Sequence, residues 1–166
     1  MTQEEKELLL KDLCARLPFH VKVAIDFEGY MEVLPEDENL QYPYRKNLNF
    51  ILDYDNKTIE DISKEPHILY AYPCTERFAM LRGYTYELDY GVPVEFIKPY
   101  LRPISSMTED EIFQLGRLTG AASYNMLKGD YSSLKELLKY VYKNHIDYFS
   151  LIPMGLALEA PEDMYK

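Results

Sequence analysis

The sequence predicts an α+β fold in which an N-terminal helix is followed by an antiparallel sheet and two C-terminal helices. Three observations predict this order. Apolar residues recur at helical spacing in residues 2–17, 108–128 and 133–147. Between these segments, in a β-rich lobe of about residues 19–104, apolar and polar residues alternate as they do in half-buried strands. Turn residues follow the strand-like runs at hairpin distances, which favours an antiparallel, twisted or barrel-like sheet of five or six short strands.

The first helix has a start signal and a stop signal. Thr2 and Glu5 have the spacing of a capping box, in which a hydroxyl and a carboxylate bond to the first free amides of a helix. Pro18 predicts the end, because proline cannot continue a helix. The side chains expected to face the core are Leu10, Leu13, Cys14 and Leu17.

The apolar spacing changes to every second residue from position 19 onward. This alternation predicts a first strand that buries Val21, Val23 and Ile25. A hairpin partner is predicted at 30–34, and further strands are predicted at 48–54, 67–72, 84–90 and 92–97. Pro99 and Pro103 are expected to end regular structure, since proline weakens a strand ladder.

Two helices are predicted after the sheet. Thr108 and Glu111 form a second capping box, and Gly129 is a plausible stop for the helix that they open. Ser133 opens the last helix, and His145 falls on the apolar stripe of that helix. The inner face expected for the first of these helices consists of Ile112, Leu115, Thr119, Ala122 and Met126.

Composition sets the class of protein. The 166 residues fit a single domain, 1–166, and the net charge of −10 disfavours binding to nucleic acids or anionic membranes. The charged N-terminus is unlike a secretory signal, and no apolar run has the length of a membrane span. With two cysteines, Cys14 and Cys74, the simplest compartment is a reducing cytoplasm in which both thiols are free.

No set of catalytic or metal-binding residues converges in the sequence. The three histidines are far apart and no Cys-x-x-Cys pair exists, so we expect no catalytic residues, no metal and no cofactor. One alternative is a small Mg²⁺-dependent phosphohydrolase that uses Asp53 as nucleophile and Asp55 as acid, because both follow an apolar strand. Another is an acidic mimic of DNA, because residues 18–66 hold eleven acids and five bases.

Tyrosine points instead to a binding protein. The chain has 16 tyrosines and no tryptophan, and tyrosine combines an apolar ring with a polar tip that suits protein interfaces. We therefore predict a non-enzymatic protein-binding or adaptor module. Its candidate contact residues are Tyr42, Tyr44 and Arg45 in a loop and Tyr84, Tyr86 and Tyr90 on a strand.

Three segments carry a family resemblance. They are residues 13–18 (LCARLP), 97–109 (IKPYLRPISSMTE) and 155–161 (GLALEAP). Together they resemble the opening, the centre and the end of a group of small proteins of gut anaerobic bacteria and their phages, for which no activity is assigned. The resemblance implies a cytoplasmic protein, bacterial or phage-encoded, whose constant ends frame a variable β-rich middle.

Overall fold

The computed structural model describes residues 1–26, 29, 66–75, 78–82 and 89–165. Within the strands at 67–75, 78–82 and 89–93, the description is of the backbone alone. The chain divides into two compact units, Met1–Pro99 and Tyr100–Lys166, and each is described by itself. The single domain predicted over residues 1–166 stays a prediction.

The first unit begins with helix α1 (Gln3–Arg16), as the capping box predicts. Thr2 accepts the Glu5 amide and the Glu5 carboxylate accepts the Thr2 amide, so both bonds of the box are present. A 3-10 turn at Leu17–Phe19 follows the helix. The side chains that α1 buries are Leu9, Asp12, Leu13 and Arg16. The buried face is therefore rotated from the predicted one and includes an ion pair between Asp12 and Arg16.

The strands of the first unit are antiparallel neighbours. They are β1 (Lys22–Ile25), β2 (His67–Thr75), β3 (Phe78–Arg82), β4 (Asp89–Pro93) and the first part of β5 (Ile97–Leu101). Their order is β4-β3-β2-β1-β5. Val23 and Ile25 of β1 are buried and alternate with half-buried residues, which confirms the predicted period of two. Pro99 does not end the strand but pairs with Val23, because a proline carbonyl can still accept where the nitrogen needs no partner.

The second unit contains two helices that pack against each other, α2 (Glu109–Met126) and α3 (Ser132–Lys143). Its core includes Leu115 and Leu118 of α2 and Leu137 and Val141 of α3. The last part of β5 pairs in parallel with β6 (Leu158–Glu159). In the described part of the chain, no helix has the length and apolar character needed to cross a bilayer.

The α+β class is confirmed, with three α-helices and an open sheet in the described part of the chain. The predicted form of the sheet is wrong. The described strands have an open order rather than a barrel, and side chains are described for β1, β5 and β6. β6 is parallel to β5 because a helical crossover, and not a tight turn, connects the two strands.

His145 corrects the prediction for α3. The helix ends at Lys143, and His145 lies beyond it with φ of 53°, in the left-handed region that a helix cannot include. The side chain of His145 is nevertheless buried, and its ring stacks on Tyr165 at a centroid distance of 3.8 Å. Gly129 has φ of 77° and follows α2, which confirms the predicted stop.

Candidate functional site

Helix α2 is anchored at its first turn. The Thr108 hydroxyl accepts the Glu111 amide at 3.3 Å, and a Glu111 carboxylate oxygen accepts the Thr108 amide at 2.8 Å. Glu109 and Asp110 add two exposed acids to this turn, where negative charge interacts favourably with the helix dipole. The start and the orientation of α2 therefore follow from side chains within residues 108–111.

The inner face of α2 is apolar and packed. Leu115, Leu118 and Ala122 are buried, and they belong to one cluster with Leu137 and Val141 of α3. Residues at positions i, i+3 and i+7 share one side of a helix, which is why these three form a single stripe. The packing fixes which side of α2 is left in contact with solvent.

The opposite side of α2 is also apolar, and this is unexpected for a helix side exposed to water. Phe113 is 75% exposed, Tyr124 is 60% exposed and Leu127 is 88% exposed. At 100° per residue, these side chains together with Gly116 and Gly120 fall within about 80°, directly opposite the buried stripe. We call these five residues the outer face of α2. Single exposed apolar residues are ordinary, but a continuous row is typical of an interaction surface.

The two glycines of the outer face have open space beside them among the residues that the structure describes. A Cβ placed on Gly116 or on Gly120 would meet no atom within 4 Å, and neither residue has a left-handed backbone. Each glycine inside a helix costs about 1 kcal/mol relative to alanine. No contact among the described residues requires glycine at these positions, whereas the absence of side chains lets a second backbone approach α2 closely.

Charges of opposite sign lie at the two ends of the outer face. Glu109 and Asp110 are at its N-terminal end, and Lys128 follows its C-terminal end. The Lys128 ammonium donates to the Tyr124 hydroxyl at 2.6 Å and lies 4.2 Å from the centre of the Tyr124 ring. Arg117 is exposed at the flank, beside the glycines.

A groove of about 510 Å³ lies near the start of α2. Arg102, Thr108 and Glu111 line one part of it, and Pro161 and Tyr165 line another. Small-ligand sites in proteins have volumes of roughly 300–1,000 Å³, so the groove has a sufficient size.

An ion pair occupies part of the groove wall. Arg102 donates two hydrogen bonds to the two carboxylate oxygens of Glu111, at 2.8 and 2.9 Å. These bonds, more than any other contact, lower the pKa of Glu111 to about 2, and the same pair raises the pKa of Arg102. At neutral pH Glu111 is thus a charged acceptor, already bonded, and not a base that could take a proton from a substrate.

The pair predicts a dependence of stability on pH. Because the pKa of Glu111 falls from 4.5 to about 2 on folding, its contribution is complete above pH 4.5 and is lost as the pH falls towards 2. Since both side chains are about a quarter exposed, we expect Glu111→Gln to cost about 1–2 kcal/mol at pH 7, less than the full shift implies. Urea unfolding measures the free energy of unfolding of the unchanged chain and of Glu111→Gln. We expect the difference between the two values to become smaller from pH 7 to pH 3. Glu109→Gln, in the same turn, controls for the loss of one charge, and a difference that stays constant with pH would contradict the prediction.

Tyr165 ties the chain end to the wall of the groove. Its hydroxyl donates to the Tyr100 carbonyl at 2.8 Å, and its ring stacks on the buried His145. Nearby, the Ala160 amide donates to the Leu101 carbonyl at 2.8 Å. Two of the segments that carry the resemblance, 97–109 and 155–161, therefore run side by side and both contribute to the groove.

The described residues contain no set of side chains that could bind a metal ion. Among those residues, no three His, Cys, Asp or Glu side chains are placed to hold an ion together. Cys14 is half-buried in α1, and burial raises the pKa of its thiol, which lowers its reactivity.

Most of the site residues predicted from sequence lie outside the described residues. This holds for the loop candidates Tyr42, Tyr44 and Arg45 and for Tyr84 and Tyr86 on the predicted strand. Tyr90 lies on β4, where its backbone pairs with Leu81. Asp53 and Asp55, which the phosphohydrolase alternative requires, also lie outside, and of the acidic stretch 18–66 only residues 18–26, 29 and 66 are described.

The outer face of α2 was missed by sequence reasoning. The predicted inner face included Ile112 and Met126, but both are exposed, at 52% and 43%. Leu118, which the prediction left out, is buried. The signal that could have found the outer face is the spacing of Phe113, Tyr124 and Leu127 with two glycines on a second stripe of the same helix.

Comparison of the chain with protein-family models, with curated proteins and with solved structures found no match.

Proposed function

We propose that the protein is a non-enzymatic binding or adaptor module of the cytoplasm, which recognises another protein through the outer face of α2. The observation that carries this proposal is the exposure of Phe113, Tyr124 and Leu127 on the helix side opposite the core. Full burial of each such side chain at an interface contributes about 1.5–3 kcal/mol. Three of them together offset much of the entropy that association costs.

The composition of the outer face agrees with known interfaces. Aromatic residues are enriched at protein contacts, and a few of them usually provide most of the binding energy. Phe113 and Tyr124 have such rings, and the glycines between them leave a shallow depression along the helix. The tyrosine-rich composition that suggested a binding protein is therefore represented on this surface by Tyr124.

The groove residues have a structural role rather than a catalytic one in this proposal. Arg102 and Glu111 direct their charges at each other, and Thr108 is used to cap α2. These contacts hold the start of α2 in place, so the groove residues position the helix that we propose to bind. The loop and strand tyrosines predicted from sequence remain candidates for further contacts of the same module.

Site-specific photo-cross-linking tests the proposal. A photoreactive phenylalanine analogue is placed at Phe113 or at Leu127 of the full chain, and at the exposed Glu136 of α3 as a matched control. In an extract of the source cell, we expect discrete protein adducts at positions 113 and 127 and none at 136. Adducts that disappear in the presence of Tyr124→Ser would confirm that the outer face binds, whereas equal labelling at all three positions would contradict it.

A further inference from the structure

We propose that the outer face of α2 packs against the same face of a second copy of this chain, with the two α2 helices antiparallel. The inference rests on the proposed function, since it names the partner of the proposed binding surface. Three properties of the face support it: the space at its centre, the place of its apolar side chains and the signs of its terminal charges.

The centre of the face has room for a second helix. Gly116 and Gly120 are one turn apart, and no atom of the described residues lies within 4 Å of a Cβ placed on either of them. An antiparallel pair centred at the level of Leu118 places Gly116 of each copy opposite Gly120 of the other. Small residues at a crossing allow two backbones to approach closely, which large residues there would prevent.

The apolar side chains flank this centre in a self-complementary way. In the same register, Phe113 of one copy is level with residues 123 and 124 of the other, so its ring meets the Tyr124 ring about one turn from Gly120. The two-fold axis repeats the contact on the other side of the centre. Leu127, which caps the C-terminus of α2 and is 88% exposed, comes level with Glu109 of the other copy at the end of the contact.

The terminal charges select a second copy and an antiparallel orientation. Lys128 of one copy comes level with Glu109 and Asp110 of the other, and this happens at both ends. A parallel pair would place acid beside acid and lysine beside lysine, which is unfavourable. Arg117 is exposed on the flank near the centre, where the two copies bring their Arg117 residues near each other, so both side chains must extend away into solvent.

The expected affinity is modest. α2 has 18 residues and is therefore about 27 Å long, so a single helix pair buries less than the roughly 800 Å² per partner of a standard interface. We therefore expect a dissociation constant on the order of micromolar.

Sedimentation velocity on the full chain alone, up to about 100 µM, tests the inference. We expect a reversible monomer–dimer equilibrium. Lys128→Glu should weaken the dimer about tenfold, because two attractive ends become repulsive. Lys135→Glu is the matched control on the exposed side of α3 and should leave the equilibrium unchanged. Gly120→Leu should abolish the dimer while favouring the helix.

A charge-swap pair makes the test specific for the antiparallel register. Copies with Lys128→Glu repel one another, and copies with both Glu109→Lys and Asp110→Lys also repel one another. Mixed together, the two variants have attractive charges at both ends of the helix pair, so we expect a heterodimer as stable as the original homodimer. Photo-cross-linking from residue 113 in the same mixture reports directly on the contact between the two α2 helices.

Three results would overturn the inference. They are a monomer at all concentrations, a dimer insensitive to both Lys128→Glu and Gly120→Leu, and a charge-swap mixture that stays monomeric. A monomer whose Phe113→Cys thiol is shielded from a thiol reagent would show instead that a segment of the same chain covers the face. A monomer that still forms adducts with a different protein at position 113 would leave the proposed function standing and overturn only the self-association.

Discussion

Asp12→Ala is expected to lower the free energy of unfolding of the first unit by about 3–5 kcal/mol, the largest effect of any change described here. Asp12 accepts two hydrogen bonds from Arg16, at 2.7 and 3.0 Å, and both side chains are almost completely buried. Removing the carboxylate takes away a buried counter-charge of the guanidinium and two of its hydrogen bonds. Urea unfolding at neutral pH measures the loss, and the variant is expected to unfold at a clearly lower urea concentration.

The double variant Asp12→Leu with Arg16→Met is the control for this prediction. It removes both charges and keeps similar volumes, and replacing a whole buried ion pair in this way is often neutral or stabilising. We expect it to recover most of the stability that Asp12→Ala loses. A double variant as unstable as the single one would show that shape at this site, rather than charge, controls the stability of α1.

Asp147→Ala is expected to destabilise the second unit by about 3 kcal/mol. The Asp147 carboxylate is buried and accepts the Leu151 amide at 2.7 Å and the Ile152 amide at 3.0 Å. Without it, these amides lose their acceptor inside the protein, and each such loss costs about 1–3 kcal/mol. Thermal unfolding followed by circular dichroism measures the effect.

Asp147→Asn separates the hydrogen bonds from the charge. The Leu151 and Ile152 amides bond to different carboxylate oxygens, and an asparagine keeps only one acceptor oxygen, so we expect Asp147→Asn to lose about half as much stability as Asp147→Ala. Equal losses in the two variants would contradict the role of this side chain as an acceptor.

Local signals in the sequence predict the helices well. The capping boxes of α1 and α2 start both helices at the expected residues, since a cap needs only the side chains of one turn. The buried face of α1 could not be predicted in the same way. Charged residues are normally expected to be exposed. The buried stripe of α1 begins at Leu9 and includes Asp12 and Arg16, so its pattern does not look apolar in the sequence.

Contacts between distant residues are the part that the sequence does not reveal. β6 has two residues and no pattern of its own, and it is a strand because Leu158 and Glu159 reach β5. The groove likewise depends on Pro161 and Tyr165 lying beside Arg102, about 60 positions away along the chain. The outer face of α2 is different, because its residues are neighbours on one helix and their spacing can be recognised once the inner stripe is known.

The stacking of His145 on Tyr165 has a consequence for natural variation. Position 145 has a positive φ, for which glycine and asparagine are the easiest substitutes, yet neither has a ring to support Tyr165. A substitution at either position therefore removes the stacking contact that favours the ring at the other position. Orthologues of this chain should change them together, as a correlated pair, even though 20 positions separate them in the sequence.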